Sequence, residues 1–492
     1  GDEEICSVGL NADILSMKVK KEDASIFHVP LSKIAQEVGG SKLYSNTVAT
    51  GAALGLMCYD FQPLAEVLTQ TFKKKGEDVV EKNIKAARAG YDYAQEHYPG
   101  RCHYVLKPAK KQEKRMLITG NEAVGLGALA SGLKFLPAYP MTPSTGVMNY
   151  VAANADRFNV VVEQAEDEIS ALNLALGASF AGARSMTTTS GGGFSLMVEA
   201  LGLAGMTETP VVIFLAQRPG PATGLPTMTE QGDLEFVLHA AQGEFPRCVI
   251  APKSPDDAFY LTSKAFNIAD KYQIPVFILS DQYLADSLFT CERFNTSKVK
   301  IERHILQDSE IKGKEYKRYL LTLNGISPRA LPGQAGTLVV ADSDEHDKEG
   351  HINETIEMRI TMSDKRLGKL EGLKKEMTLP EIYGPKEAKV TLIGWGSTYG
   401  PLKEAVDILR TEGVDINLVH YTEIYPLPEE PSRGMLKSVK KTVCVENNAT
   451  GQFARLLKVE TGFSVSLHIL KYDGRPFTPE LIIWELKKKG VV

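Results

Sequence analysis

"SPDDAFYLTSKAFNIADKYQIPVFILSD" (254–281) places a helix start and a short apolar β-rich run in one stretch. Ser254 is an N-cap, Pro255 takes the first helical position, and Asp256 and Asp257 fall in the first turn, where the helix dipole favours negative charge. "VFILSD" (276–281) has the β-branched and aromatic content of a buried strand, and "VVIFLA" (211–216) upstream is a second such run. Further back, "MLITG" (116–120) leads into the helix-like "NEAVGLGALASGL" (121–133). Short strands alternating with helices predict an α/β chain built on a doubly wound parallel sheet.

Working outward, 492 residues predict roughly three domains at about 150 residues each. Residues 1–98 form the first and end in an amphipathic helix, with Val80, Ile84, Ala87, Tyr91 and Ala94 at helical spacing. Residues 99–115 combine Pro, Gly and many cations, and read as a linker. Residues 116–285 are the doubly wound domain, and 286–385 a charge-rich connecting segment of weak periodicity. The α/β rhythm returns over 386–492 with "VTLIGWG", "PLKEAVDILRTEG", "INLVHY" and "TVCVENN".

A net charge of −5 and a pI near 6.1 give no general basic field for nucleic acid. No apolar run approaches the roughly 18 residues a membrane span needs, and the opening "GDEEICSVGL" does not read as a secretory signal. The six cysteines (6, 58, 102, 248, 291 and 444) form no CxxC pair. A zinc or iron–sulfur site built by this chain alone is therefore not expected, and reduced thiols in a cytoplasmic protein are.

Four stretches carry candidate chemistry. "AYPMTPSTG" (138–146) stiffens a turn with two prolines and offers the hydroxyls of Tyr139, Thr142, Ser144 and Thr145. "VVVEQAEDEISALNLALGAS" (160–179) sets four carboxylates before a small-residue helix; most are dipole partners, but one could enter an apolar pocket. "TTTSGGGFSLMVEALGLAG" (187–205) reads as strand, three-glycine turn and helix, and matches neither GxGxxG nor the Walker pattern. In "AQRPGPATGLPTMTEQGDL" (216–234), Arg218 stands just beyond a strand, where open α/β sheets bind ligands, and suits a carboxylate. "DSDEHDKEGH" (342–351) could hold a metal, but its irregular spacing reads better as a solvated charged loop.

Together these stretches resemble the 2-oxoacid:ferredoxin oxidoreductases, in particular large subunits with a γ-like domain fused ahead of an α-like part. The likeness rests on "GNEAVGLGALASG" (120–132), "YPMTPST" (139–145), "QAEDEISALNLALGAS" (164–179), "TTSGGGFSLMVEALG" (188–202) and "QRPGPATGLPT" (217–227). It continues through "GISPRALPG" (325–333), "SDEHDKEGHINE" (343–354), "VENNATGQFARLL" (445–457) and "KYDGRPFTPE" (471–480), with "VPLSKIAQEVGGSKLYSNTVATGAALGL" (29–56) as the later part of a γ domain. The γ-like part lacks the family's opening glycine-rich turn.

The resemblance implies a γ-like domain over 1–98, a thiamine-pyrimidine-binding domain over 116–285 and a transketolase-C-like domain over 386–492. It implies thiamine-dependent oxidative decarboxylation of a 2-oxoacid to acyl-coenzyme A with ferredoxin as electron acceptor, reversible toward carbon dioxide fixation as in a reductive TCA cycle. Thiamine diphosphate would be shared with a β subunit carrying Mg²⁺ and a [4Fe–4S] cluster. By motif, Glu166 bonds the pyrimidine ring, Tyr139 and Pro140 lie against the cofactor, Thr142 contacts the oxoacid, Arg218 grips its carboxylate, and Thr227 rides on a loop that responds to substrate. The overall look leans to 2-oxoglutarate over pyruvate or branched-chain acids. A non-catalytic scaffold is the reading from another class; it would need none of Thr142, Glu166 and Arg218.

Overall fold

The structure, a computed structural model, describes residues 5–7, 26–102, 104–107, 114–428 and 441–492. It divides into two compact units, Gly1–Glu113 and Lys114–Val492.

In the first unit, β1 (Ile5–Ser7) pairs antiparallel with β2 (Ile26–His28), followed by helices Leu31–Gly39, Ser45–Leu56, Gln62–Phe72 and Glu77–His97. The second and fourth of these pack backbone to backbone. A Cβ on Gly51 would strike the Ala87 carbonyl, and one on Gly90 the Val48 carbonyl. Glycine is needed there for close approach. The apolar spacing read from 80 to 94 is the face that this contact and its neighbours bury.

In the second unit, β3 (Met116–Thr119), β4 (Phe135–Ala138), β5 (Val161–Gln164), β6 (Met186–Thr189), β7 (Val211–Gln217), β8 (Cys248–Ile250), β9 (Pro275–Asp281) and β10 (Leu288–Cys291) alternate with helices. β8, β9, β7 and β6 are parallel neighbours in that order. β4 and β5 form a parallel pair, linked to the β6 edge by a bridge between Phe135 and Ser185. Every residue of β7 and β9 is buried, as expected of parallel strands covered by helices on both faces. Ser254 accepts from the Asp257 amide at 3.2 Å, with Pro255 opening the helix Pro255–Tyr272.

Farther along come β11 (Glu381–Tyr383), β12 (Val390–Trp395), β13 (Ile416–Tyr421), β14 (Glu423–Tyr425), β15 (Lys441–Glu446) and β16 (Leu467–Leu470). Their sheet runs β11–β13–β12–β15–β16, parallel except for β11. β14 crosses out of it and pairs antiparallel with β8 of the other sheet. One apolar core therefore spans both sheets: Ile213, Leu215 and Phe277 belong with Trp395, Val419 and Phe453.

Three local expectations are corrected. The glycine triplet is not a turn; Gly191, Gly192 and Gly193 are the first residues of the helix Gly191–Met206, with Ser190 at its N-cap. The segment 286–385 contains a helix of 21 residues, Ile356–Glu376. Its inward face is largely cationic, which is why no apolar period marked it. Lys365 and Lys369 meet the buried carboxylate of Glu208, and Arg366 that of Glu345. Burial alone would raise Glu208, but Lys369, Lys365 and Arg318 draw it well below the usual carboxylate range. Nor is "DSDEHDKEGH" a wholly solvated loop: His346 is fully buried against Tyr319, and the Asp347 side chain accepts from the amides of Glu349, Gly350 and His351.

Candidate active site

Parallel strands deliver their following loops to one edge of a sheet, and the candidate residues use that edge. Tyr139 and Pro140 follow β4, Glu166 follows β5, Ser190 follows β6 and Arg218 follows β7. Ala138 pairs with Gln164 across β4 and β5, and the Ala165 amide donates to the Ala138 carbonyl at 3.1 Å. The loops bearing Tyr139 and Glu166 thus leave the sheet side by side.

The first loop is held from beneath. Asn121, 3 % exposed, donates to the Pro143 carbonyl at 2.9 Å and to Asp286 at 3.1 Å. Gly146 rests on the Asn121 amide, where a Cβ would lie 2.5 Å away. Ser144 is fully buried and donates to the Met141 carbonyl at 2.8 Å, so it braces the turn rather than being offered at its surface. Tyr139 and Thr142 are exposed. The Arg218 guanidinium donates to the Thr142 carbonyl at 2.6 Å, bringing together two residues 76 apart in the chain.

The carboxylates of "EQAEDE" separate by environment. Asp167 is the N-cap of the helix Glu168–Phe180 and accepts from the Ser170 amide at 2.7 Å. Glu163 and Glu166 are exposed, so no dry apolar pocket surrounds Glu166 among the described residues. Glu168 is the buried one, at 3 % exposure, with Oε1 unpartnered among the described residues. Desolvation raises its pKa. It lies over the start of the next helix, where a Cβ on Gly193 would come within 2.5 Å of Oε1.

Asp233 occupies the same helix end. A Cβ on Gly191 would fall 2.5 Å from its Oδ2, an oxygen with no partner among the described residues. Burial, with a contribution from Glu230, pushes its carboxyl up to about 7 against the pull of Arg218. Its amide donates to Gln217 Oε1 at 2.9 Å, tying it to the residue before Arg218. Ser190 Oγ is likewise buried and unpartnered. Beyond Arg218, residues 220–225, Thr227 and Met228 are exposed.

Thr142 and Arg218 are therefore joined directly, Glu166 stands beside the first loop, and Thr227 is at the exposed tip of the other. Asn121 and Asp233 are candidates that the motifs did not single out, and Glu168, expected to be structural or exposed charge, is a buried one. Asn121 opens "NEAVGL" as an ordinary helix start, and only tertiary contact turns its amide under the proline loop.

A doubly wound domain with its polar site at the carboxyl edge, joined through a common core to a second α/β sheet, defines a class of two-domain α/β enzymes. Comparison names the family. Residues 6–93 match the family model for pyruvate ferredoxin/flavodoxin oxidoreductase. Residues 126–365 match that for the pyruvate flavodoxin/ferredoxin oxidoreductase thiamine-diphosphate-binding domain, and 388–482 core domain II of pyruvate:ferredoxin oxidoreductase. The chain is 38 % identical over 491 residues to the alpha subunit of 2-oxoacid:ferredoxin oxidoreductase 1 of Sulfurisphaera tokodaii, covering 96 % of this chain and 74 % of the relative. It is 32 % identical over 367 residues to the 2-oxoglutarate synthase subunit KorA of Archaeoglobus fulgidus, covering 75 % and 97 %. A 2-oxoglutarate:ferredoxin oxidoreductase from Magnetococcus marinus, solved with 2-oxoglutarate, coenzyme A and succinyl-CoA bound, superposes with a TM-score of 0.86 at 36 % identity, over 94 % of this chain and 80 % of that one. The chain belongs to the 2-oxoacid:ferredoxin oxidoreductases, as an alpha-type subunit.

Proposed function

We propose that this subunit serves thiamine-dependent oxidative decarboxylation of 2-oxoglutarate to succinyl-coenzyme A, with electrons passed to ferredoxin. The observation that carries the reading is the Arg218–Thr142 contact at the carboxyl edge, beside the loop of Glu166. 2-Oxoglutarate is favoured by the names of the Archaeoglobus fulgidus relative and the Magnetococcus marinus neighbour.

The residues fit half of a thiamine site. Buried oxygens of Glu168, Ser190 and Asp233, unpartnered among the described residues, gather around the glycine-led start of the helix Gly191–Met206, and Glu166 presents an exposed carboxylate. Bound thiamine diphosphate would supply the carbon nucleophile that the side chains lack. Glu166 would hold or exchange a proton at the pyrimidine ring nitrogen, with Tyr139 and Pro140 against the ring. Arg218 would bind the substrate carboxylate through its planar fork, and Thr142, fixed by the braced turn, would contact the oxoacid. Thr227 would close over the substrate from the loop tip. A β subunit would complete the pocket around Glu166 and carry Mg²⁺ and the [4Fe–4S] cluster; a cytoplasmic assembly able to run toward carbon dioxide fixation follows from the same reading. The parts would be a γ-like domain (1–98), linker (99–115), pyrimidine-binding domain (116–285), connecting segment (286–385) and transketolase-C-like domain (386–492).

The test is purification with the adjacent β subunit and comparison of ferredoxin reduction by 2-oxoglutarate, pyruvate and branched-chain oxoacids, with and without coenzyme A. Preference for 2-oxoglutarate by at least about tenfold in kcat/KM is expected. Preference for pyruvate would move the assignment within the family, and absence of turnover with every oxoacid would favour a scaffold.

A further inference from the structure

The motifs "VENNATGQ" and "KYDGRPFTPE" have no part in the chemistry above, yet both reach the loop that carries Arg218 and Thr227. That loop has an exposed tip and a buried root. At the root, Gln231 is 1 % exposed; its amide donates to the Asn447 carbonyl at 2.7 Å and its Oε1 accepts from the Asn447 amide at 3.0 Å. Its Nε2 donates to the Trp395 carbonyl at 3.0 Å, and Asn448 donates to its carbonyl at 3.1 Å. The Thr229 amide donates to the Gly474 carbonyl at 3.0 Å. Asn447 closes the block, because its Nδ2 donates to the Lys471 carbonyl at the start of the turn holding Gly474.

Gly474 has φ +81°, and a Cβ there would lie 3.1 Å from Leu225 Cδ1 and 3.1 Å from Met228 Cβ. Leu225 and Met228 flank Thr227. The turn 471–475 is thus moulded against the loop tip as well as bonded to its root. The distribution of anchors is unequal. At its β7 end the loop is fixed by the strand itself. Its far half takes one bond from its own domain at Thr229, where the Tyr283 amide donates to Oγ1 at 3.2 Å, and most of its other anchors from the C-terminal sheet.

We propose that Gly474 and Asn447 act as a clamp on residues 225–231, so that the C-terminal sheet positions Thr227 and the loop of Arg218 and thereby sets affinity for the 2-oxoacid. The proposal rests on the function proposed above, and Gly474 and Asn447 act only through the loop. Orientation of the clamped groups is what is at stake, since small displacements of binding groups cost disproportionate rate and affinity.

Gly474→Ala in the αβ complex tests it. The expected result is a KM for the preferred oxoacid raised about fivefold or more, with kcat within about twofold and the KM for coenzyme A unchanged. Gly413→Ala is the control, because Gly413 also has positive φ (+84°) but nothing within 4 Å of an added Cβ. It reproduces the backbone strain without the loop contact, and should leave KM at the wild-type value. Adding Leu225→Ala to Gly474→Ala should recover much of the lost affinity, as coupled neighbours do. Independently of turnover, hydrogen exchange of the full chain should show faster exchange at the amides of Thr229 and Gln231 in Gly474→Ala but not in Gly413→Ala. Unchanged KM and unchanged exchange in Gly474→Ala, or equal changes in Gly413→Ala, would overturn the clamp. A wild-type complex that turned over no oxoacid would refute the functional reading, and the exchange comparison would still decide the clamp.

Discussion

The loop that carries Thr142 and the loop that carries Arg218 meet at 2.6 Å but are supported in opposite ways. The first is short, proline-stiffened and held by its own domain, through Asn121 and the buried Ser144. The second is long, has an exposed tip, and is secured at its root by residues more than two hundred positions away, such as Asn447 and Asn448. In the function proposed above, the group that holds still is on the loop with local bracing, and the group that admits and releases a substrate is on the loop braced largely from another sheet.

The largest effect that could break this comparison is at Glu166, outside both loops. Glu166→Gln keeps shape but cannot exchange a proton, and should lower turnover by about 10² or more with cofactor content retained. Glu163→Gln should cost far less; a reversed result would shift the register within "EQAEDE" from Glu166 to Glu163. Glu168→Gln, buried beside Gly193, is expected to change thermal stability more than turnover, measured by melting and steady-state rates on the same preparation.

Arg218→Ala should come next. Removing a charge-assisted contact costs about 1.5–3 kcal/mol, or roughly 10- to 150-fold in KM, with thiamine diphosphate still bound. Arg218→Lys should be nearly as harmful, because a point charge does not reproduce the fork. If Lys restored the KM, bidentate recognition would be wrong.

Asn121→Ala would sharpen the contrast, since it unlocks the first loop only. Loss of the bonds to Pro143 and Asp286 should lower kcat/KM by about 5- to 20-fold and reduce the melting temperature, as expected when buried partners are left unpaired. No such loss would show that the prolines suffice.

The smallest expected effect is at Asp233. Its carboxyl is raised to about 7 when folded, from about 4 when unfolded, so stability present at low pH is lost as pH rises between those values. Asp233→Asn removes that loss. The variant should melt higher than wild type at pH 8, by at least about 2 °C, with the gap closing as pH falls toward 4. A pH-independent gap would mean that Asp233 does not ionise in this range.

Much of the architecture was legible because its signals are local. The apolar runs of β7, β9, β12 and β13 announce buried strands wherever they occur, since each must be covered on both faces. The Ser254–Pro255 helix start is likewise written in adjacent residues. The proline turn, and Arg218 just past a strand end, could be singled out on the same grounds.

Long-range partners decided the rest. A helix whose buried face is mostly Lys365, Arg366 and Lys369, with Met362 and Leu373, shows no apolar period, because its burial is stabilised by Glu208 and Glu345 from distant segments. Three successive glycines read as a turn, yet helical hydrogen bonding and the carboxylates of Asp233 and Glu168 make them a helix start. Glu166 and Glu168 are chemically alike in the sequence, and only the fold leaves one exposed and the other buried. The same holds for the root of the Arg218 loop. Local propensity and apolar pattern suffice to place strands and helix starts, but a polar side chain's role depends on the partner brought to it, and that partner is chosen by tertiary contact.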